Sequence, residues 1–102
     1  MCCLFGIINY GNKLKSNQMN KLLNYLAVSS MDRGTDATGI SYVHNDTLTV
    51  FKRPVPANKV KLHMPKKTRI AMGHTRYATQ GTPKHNYNNY PWISKAGNTQ
   101  YA

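Results

Sequence analysis

The sequence predicts an α+β domain with mainly antiparallel strands. A single apolar stripe with helical spacing occurs, and four other segments have the short apolar or alternating character of strands. The elements follow in the order strand, helix, hairpin, strand, which favours mixed α+β packing over alternating βα units. The chain has 102 residues, enough for one small domain with a modest core. We therefore expect one domain and no internal boundary.

The first two elements are a strand and an amphipathic helix. The strand is predicted over residues 2–9, an apolar run that a turn-rich segment follows. The helix is predicted over 17–29, with Ser16 as its N-cap and Gly34 in a left-handed conformation after its end. Its apolar positions repeat at i, i+3, i+4, i+7 and i+8: Met19, Leu22, Leu23, Leu26 and Ala27.

A hairpin follows the helix. Its strands are predicted over 38–43 and 47–52, with Asn45 and Asp46 at the turn, and two prolines end the second strand.

The remaining chain reads as three segments. A short helix is predicted over 57–62 and a last strand over 69–75. Residues 81–102 are rich in Asn, Tyr, Thr and Gly without periodicity, so we expect a long loop there.

The charge balance is strongly basic. The chain carries 14 Lys and Arg against 3 Asp and Glu, a net charge of +11. Basic residues cluster over 52–67, with Phe51 as the one aromatic neighbour. We interpret this cluster as a solvated face and expect no nucleic-acid partner; a small basic module that binds nucleic acid is the alternative. No apolar run approaches the ~18 residues of a membrane span, and no signal peptide is recognised, so we expect a cytoplasmic protein without a membrane partner.

Cys2 is the candidate nucleophile. If Met1 is removed, Cys2 carries a thiol and a free α-amine, and an unprotonated amine can accept the thiol proton. The alternative is a small buried hydrophobic residue at the start of a strand. We expect no metal site, because the two adjacent cysteines and four scattered histidines lack the usual ligand spacing.

Three segments together resemble a known family. They are residues 1–7 (MCCLFGI), 33–40 (RGTDATGI) and 73–81 (GHTRYATQG). In this order and spacing they resemble the class II glutamine amidotransferase domain, an N-terminal-nucleophile hydrolase. The resemblance covers about residues 1–92 and extends into 88–91 (NNYP), which is similar to an Asn-Ala-His-Pro segment of the family.

The resemblance implies roles for individual residues. Cys2 matches the nucleophile that attacks the side-chain amide of glutamine and releases ammonia. Arg76 matches the residue that holds the α-carboxylate of glutamine, for which a guanidinium fork is suited. Thr79 and Asn88 match further substrate-binding positions. The segment 33–40 is interpreted as architecture, with Asp36 as a loop-anchoring acceptor. No cofactor is implied.

The resemblance also implies what lies around the chain. The family fold is a four-layer αββα sandwich about twice this length, so residues 1–102 are expected to be the N-terminal portion of one such domain. An Asn-Gly pair that forms the oxyanion hole is not found, and losing such donors typically costs ~10²–10³ in rate. We therefore expect the chain to be inactive alone and to need the other half of its domain and an acceptor domain. Another N-terminal-nucleophile amidohydrolase is the alternative. The acceptor is not predicted, since Tyr77, Gln80 and Tyr90 depart from the family pattern; Cys3 also departs from it, but only Cys2 becomes the terminal residue when Met1 is removed.

Overall fold

The computed structural model describes residues 2–78, 81–97 and 99–102 and confirms the α+β class. Four antiparallel strands form a sheet in the order β1-β4-β2-β3, and the α-helix described, α1, packs on one face of it. Two short strands, β5 and β6, form a separate antiparallel pair. The bounds are Cys3–Ile8 (β1), Ser16–Ser29 (α1), Ala37–His44 (β2), Thr47–Arg53 (β3), Ile70–Arg76 (β4), Ser94–Ala96 (β5) and Thr99–Tyr101 (β6).

The predicted stripe of α1 faces the sheet. Met19, Leu23 and Ala27 are buried, one turn apart on the same side of the helix. They pack in one cluster with apolar sheet residues that include Ile7 and Ile40. The helix begins one residue earlier than predicted, so Ser16 lies inside it and is not its N-cap. The backbone N–H of Lys15 instead donates to Gln18 Oε1 at 2.9 Å, because a longer side chain reaches back from the first turn.

The hairpin forms as predicted. Asn45 and Asp46 have positive φ angles of 49° and 59°, the backbone that a two-residue turn between twisted strands requires. Gly34 does not adopt the predicted left-handed conformation, since its φ is −168°. A Cβ added there would lie 2.6 Å from backbone carbon atoms of Thr75 and Arg76. Glycine is therefore required at this position for close approach of the two backbones.

The helix predicted over 57–62 is wrong except for one 3-10 turn, Ala57–Lys59. Two asparagines of α1 hold the following residues extended. Asn24 Nδ2 donates to the Leu62 carbonyl and its Oδ1 accepts from the Leu62 N–H, both at 2.8 Å. Asn20 pairs in the same way with Met64, at 3.1 and 2.6 Å. These bonds replace the helical ones.

The loop predicted over 81–102 is correct only in part. A 3-10 turn covers Asn86–Asn88, and the hairpin of β5 and β6 forms with Ser94 paired to Tyr101. Gly97, in the turn, has a φ of 61°, a conformation that glycine adopts at low cost. The sequence did not predict this pair, because each strand has only three residues and the side chains of Ser94–Ala96 are exposed and carry no alternating apolar pattern.

The face of the sheet opposite α1 carries a second apolar surface. Leu4, Ile8 and Ile70 alternate with core residues and point away from the helix. They are 70%, 55% and 47% exposed. The segment 81–93, which we call the covering segment, lies over another part of this face. Within the described ranges, no helix is long and apolar enough to cross a membrane.

Candidate functional site

Strand pairing brings Cys2 to the end of β4. Cys3 pairs with Thr75, so Cys2 lies beside the segment that contains Arg76 and Tyr77. Cys2 is exposed, and its Sγ lies 3.7 Å from the Tyr77 carbonyl oxygen, within the range of a weak S–H donor. The thiol is thus accessible and is not the buried residue of the alternative interpretation.

An open cleft of about 550 Å³ adjoins the thiol. Its walls are mainly apolar and aromatic. His74 and Tyr90 meet edge to face with ring centroids 4.7 Å apart, and Tyr90 meets Trp92 at the same distance. The residues that line the cleft include Cys2, Leu4, Met72, His74, Tyr90 and Trp92.

His74 is buried in this cleft without full hydrogen bonding. The side chain is 6% exposed, and among the described residues its Nδ1 has no hydrogen-bond partner. Desolvation lowers the pKa of His74, and the positive charge of Arg76 lowers this pKa further, so the imidazole is neutral at pH 7. An unsatisfied buried nitrogen beside a candidate nucleophile distinguishes His74 from a structural histidine that is fully hydrogen-bonded.

Arg76 ends β4 and is only 4% exposed, so it is not a surface arginine. Its Nη1 donates to Asn89 Oδ1 and its Nη2 donates to the Gly81 carbonyl, both at 2.8 Å. These charge-assisted bonds fix the guanidinium and connect it to the covering segment.

The two neighbouring asparagines of this segment differ in position. Asn88 lies against Gly81, and its Nδ2 donates to the Thr82 carbonyl at 3.2 Å. Asn89 is fully buried, accepts from Arg76 and donates to the Pro83 carbonyl at 2.9 Å. Sequence reasoning selected Asn88 and missed Asn89, because nothing except burial separates two adjacent asparagines. Thr79 lies outside the described residues.

Lys52 completes the attachment of the covering segment. Its Nζ donates to the carbonyl oxygens of Asn89 at 2.7 Å and Pro91 at 3.2 Å. Burial lowers the pKa of this ammonium. Gly39 lies opposite the covering segment and leaves room for that segment to pass. A Cβ added at Gly39 would overlap the Tyr90 carbonyl oxygen.

Asp36 anchors the neighbouring loop as predicted. Its Oδ2 accepts from the Ala78 N–H at 2.7 Å, and its own N–H donates to the Arg76 carbonyl at 2.9 Å. The backbone around Arg76 and Tyr77 is thus held from a second side. No group of three or more potential metal-ligating side chains occurs among the described residues.

Comparisons with known proteins agree with this arrangement of segments. Over 102 aligned residues, 95% of the chain, it is 36% identical to the glutamine–fructose-6-phosphate aminotransferase (isomerizing) of Staphylococcus aureus strain Mu50. It is 33% identical over the same share to the enzyme of that name from Staphylococcus epidermidis strain RP62A. The chain is a distant relative of these glutamine-dependent enzymes. It spans 16% of the length of either relative. No protein-family model and no solved structure matches it.

Proposed function

We propose that the chain contributes the nucleophile and part of the substrate-binding surface of a glutamine-hydrolysing site. The observation that carries this proposal is the exposed Cys2 thiol at a cleft beside the end of β4, in a chain similar to glutamine-dependent aminotransferases. Ammonia from the site would serve an acceptor used elsewhere in the protein.

The proposed reaction has two steps. After removal of Met1, the α-amine of Cys2 takes the thiol proton and Sγ attacks the side-chain carbonyl carbon of glutamine. The C–N bond breaks, the proton passes to the leaving nitrogen, and ammonia departs from a γ-glutamyl thioester. Water then cleaves the thioester to give glutamate and the free thiol. No cofactor enters this scheme.

Substrate binding is assigned to Arg76, Thr79 and Asn88. Arg76 would bind the α-carboxylate of glutamine, and its guanidinium is already oriented by its hydrogen bonds to Asn89 and Gly81. Binding a carboxylate to an arginine that is already oriented costs less conformational entropy than ordering an exposed one.

The proposed fold is the first part of a four-layer αββα sandwich, with residues 1–102 in the N-terminal portion of a single cytoplasmic amidotransferase domain. The exposed Leu4, Ile8 and Ile70 support a second sheet on the face opposite α1. An apolar face of this kind is stabilised when another layer removes it from water. By this proposal the chain alone is nearly inactive, because the oxyanion donors would come from the other half of the domain.

The nucleophile is tested by covalent labelling. A diazoketone analogue of glutamine should alkylate Cys2 in the complete protein, which contains the other half of the proposed domain, and peptide mass mapping should find one label there. Cys3→Ala is the matched control and should be labelled as the unsubstituted chain is, whereas Cys2→Ala should not be labelled. The intact mass should also lack one methionine.

Arg76 is tested in the same reaction. Excess glutamate, which carries the same α-carboxylate, should protect Cys2, and Arg76→Lys should weaken this protection because an ammonium cannot bind a carboxylate bidentately. Labelling of Cys3 in place of Cys2, or protection by any carboxylic acid equally, would overturn the proposal.

A further inference from the structure

A second open groove lies on the helix side of the molecule, away from the Cys2 cleft. Its volume is about 820 Å³, and it runs between α1 and the residues 57–66. Lys21 of the helix and Lys61 and Lys66 of the facing segment line it. Basic residues from two separate parts of the sequence are therefore brought to one groove.

The asparagine pairs of α1 explain this convergence. They hold residues 62–64 extended, so successive side chains point in opposite directions. Leu62 and Met64 are each 1% exposed and point into the core, whereas Lys61 and His63 are exposed on the outer side. The same bonds that replace the predicted helix thus place the basic side chains along the groove.

The remaining lining adds hydrogen-bond donors and the apolar side chains of Val28, Ala57 and Val60, and no opposing charge. Asn17 and Asn58 contribute exposed amides at the rim. None of the described residues that line the groove is acidic, and the imidazole of His63 is the one aromatic ring among them. The whole chain has only 3 carboxylate side chains and a net charge of +11. Few negative charges are therefore present to weaken the attraction of this surface for anions.

Lys52, which sequence reasoning grouped with the same cluster, takes no part in this surface. Its Nζ is bonded to the carbonyl oxygens of Asn89 and Pro91 under the covering segment. The basic cluster 52–67 therefore divides into a structural lysine and a set of exposed cations.

We propose that this groove binds the phosphate backbone of a nucleic acid without reading its sequence. Lys ammonium groups and Asn amides are the donors that commonly contact phosphate oxygens. Base stacking on proteins uses aromatic or arginine planes, of which the described lining has only the imidazole of His63, so binding should follow phosphate density more than base identity. This function is independent of the glutamine site, which lies at the cleft beside Cys2.

The test is binding of fluorescein-labelled oligodeoxythymidine to the full chain, followed by fluorescence anisotropy over a range of salt concentrations. The groove variant K61Q/K66Q is compared with K84Q/K95Q, which loses the same charge at exposed positions outside the groove. For a single strand, the slope of log K against log salt should become shallower by about 1.4 in the groove variant, at ~0.7 for each lysine. The control should change the slope by less than half as much.

Further arms identify the source of the phosphates. Oligouridine and a DNA duplex of mixed sequence should bind with the same dependence on the groove lysines. The probe that binds most tightly among these two and oligodeoxythymidine indicates whether RNA, duplex DNA or single-stranded DNA is the preferred ligand. Circular dichroism and Trp92 emission confirm that both variants are folded. Equal losses in the two variants would overturn the proposal, because binding would then follow net charge alone. So would preferential binding to poly-glutamate or to vesicles with anionic lipid, or an absence of binding at low salt.

Discussion

The two faces of the four-stranded sheet are built by different interactions. On the helix face, Leu23 and Ile40 are fully buried among other hydrocarbon side chains. On the opposite face, Arg76 and Asn89 are buried just as deeply, but each is held by directional hydrogen bonds. The first face is stabilised by removal of apolar area from water, and the second by the matching of polar partners.

This difference decides how each face responds to damage. Hydrophobic packing is shared among many contacts, so a truncation lowers the stability of the whole core. The covering segment is attached through a few polar groups, with Asn89 bonded to Arg76 and its carbonyl to Lys52. A single change there should release the segment while the helix and sheet remain folded.

Truncation of a matched pair of leucines should give the largest contrast between the faces. Leu23→Ala should lower the free energy of unfolding by about 3 kcal/mol, because it leaves a cavity beneath α1. Leu4→Ala, at a 70% exposed position of the opposite face, should change it by less than about 0.5 kcal/mol. Urea denaturation followed by circular dichroism measures both. Similar losses in the two variants would contradict the distinction between the faces.

A methyl group at Gly39 should release the covering segment. Gly39→Ala would place a Cβ against the Tyr90 carbonyl and 2.8 Å from Pro91 Cδ, so the segment must move. We expect a cost of about 2 kcal/mol, in the range for overpacking, together with a shift of the emission of Trp92, the only tryptophan. Gly11→Asn is the control, since Gly11 has open space around it and asparagine tolerates its positive φ. Unchanged Trp92 emission in Gly39→Ala would show that the segment does not depend on this contact.

The adjacent residues Asn88 and Asn89 allow the stability contributions of an exposed and a buried side-chain hydrogen bond to be compared within the covering segment. Asn89→Ala removes the acceptor of a buried guanidinium and should cost about 1.5 kcal/mol. Asn88→Ala removes one exposed hydrogen bond and should cost about 0.5 kcal/mol. Denaturation midpoints order the two variants, and the reverse order would assign the structural role to Asn88.

Protonation of His74 should give the smallest effect. Its folded-state pKa lies below the ordinary value of 6.5, so the unfolded chain binds a proton that the folded chain does not. Stability from this source is therefore complete above pH 6.5 and is lost as the pH falls through the folded-state pKa. His74→Gln should flatten this part of the profile of unfolding free energy against pH. A profile in the variant that is as steep as before would assign the dependence to other groups.

Much of the helix-face structure could be predicted from the sequence. The spacing of Met19, Leu23 and Ala27 can be recognised in the sequence because it follows the period of an α-helix. Asn45 and Asp46 predict the hairpin turn because both residue types readily adopt the backbone conformation that it needs. The predictions for Ser16 and Gly34 at the ends of the helix were wrong. Ser16 lies inside the helix and is not its N-cap, and Gly34 is extended, not left-handed. Local propensity is a weak guide where a neighbouring side chain, here Gln18, offers a competing bond.

The candidate site was predicted less completely. The position of Cys2 beside Arg76 follows from antiparallel pairing of two recognisable strands. The burial of Asn89 and the unpartnered nitrogen of His74 do not follow, since both depend on where the covering segment crosses the sheet. The substrate roles of Arg76, Thr79 and Asn88 stay predictions.

By itself, the sequence determined the order of strands and helix, the segment that presents the thiol, and the likeness to glutamine-dependent enzymes, because each of these depends on residues close together in the chain. Only the tertiary structure decided that Asn20 and Asn24 replace a helix by an extended segment, that Lys52 is bonded to the covering segment, and that Lys21 joins Lys61 on one groove. The physical reason is distance along the chain. Hydrogen bonds and charges that meet across 30 or more residues are fixed by packing, and local patterns carry no record of them.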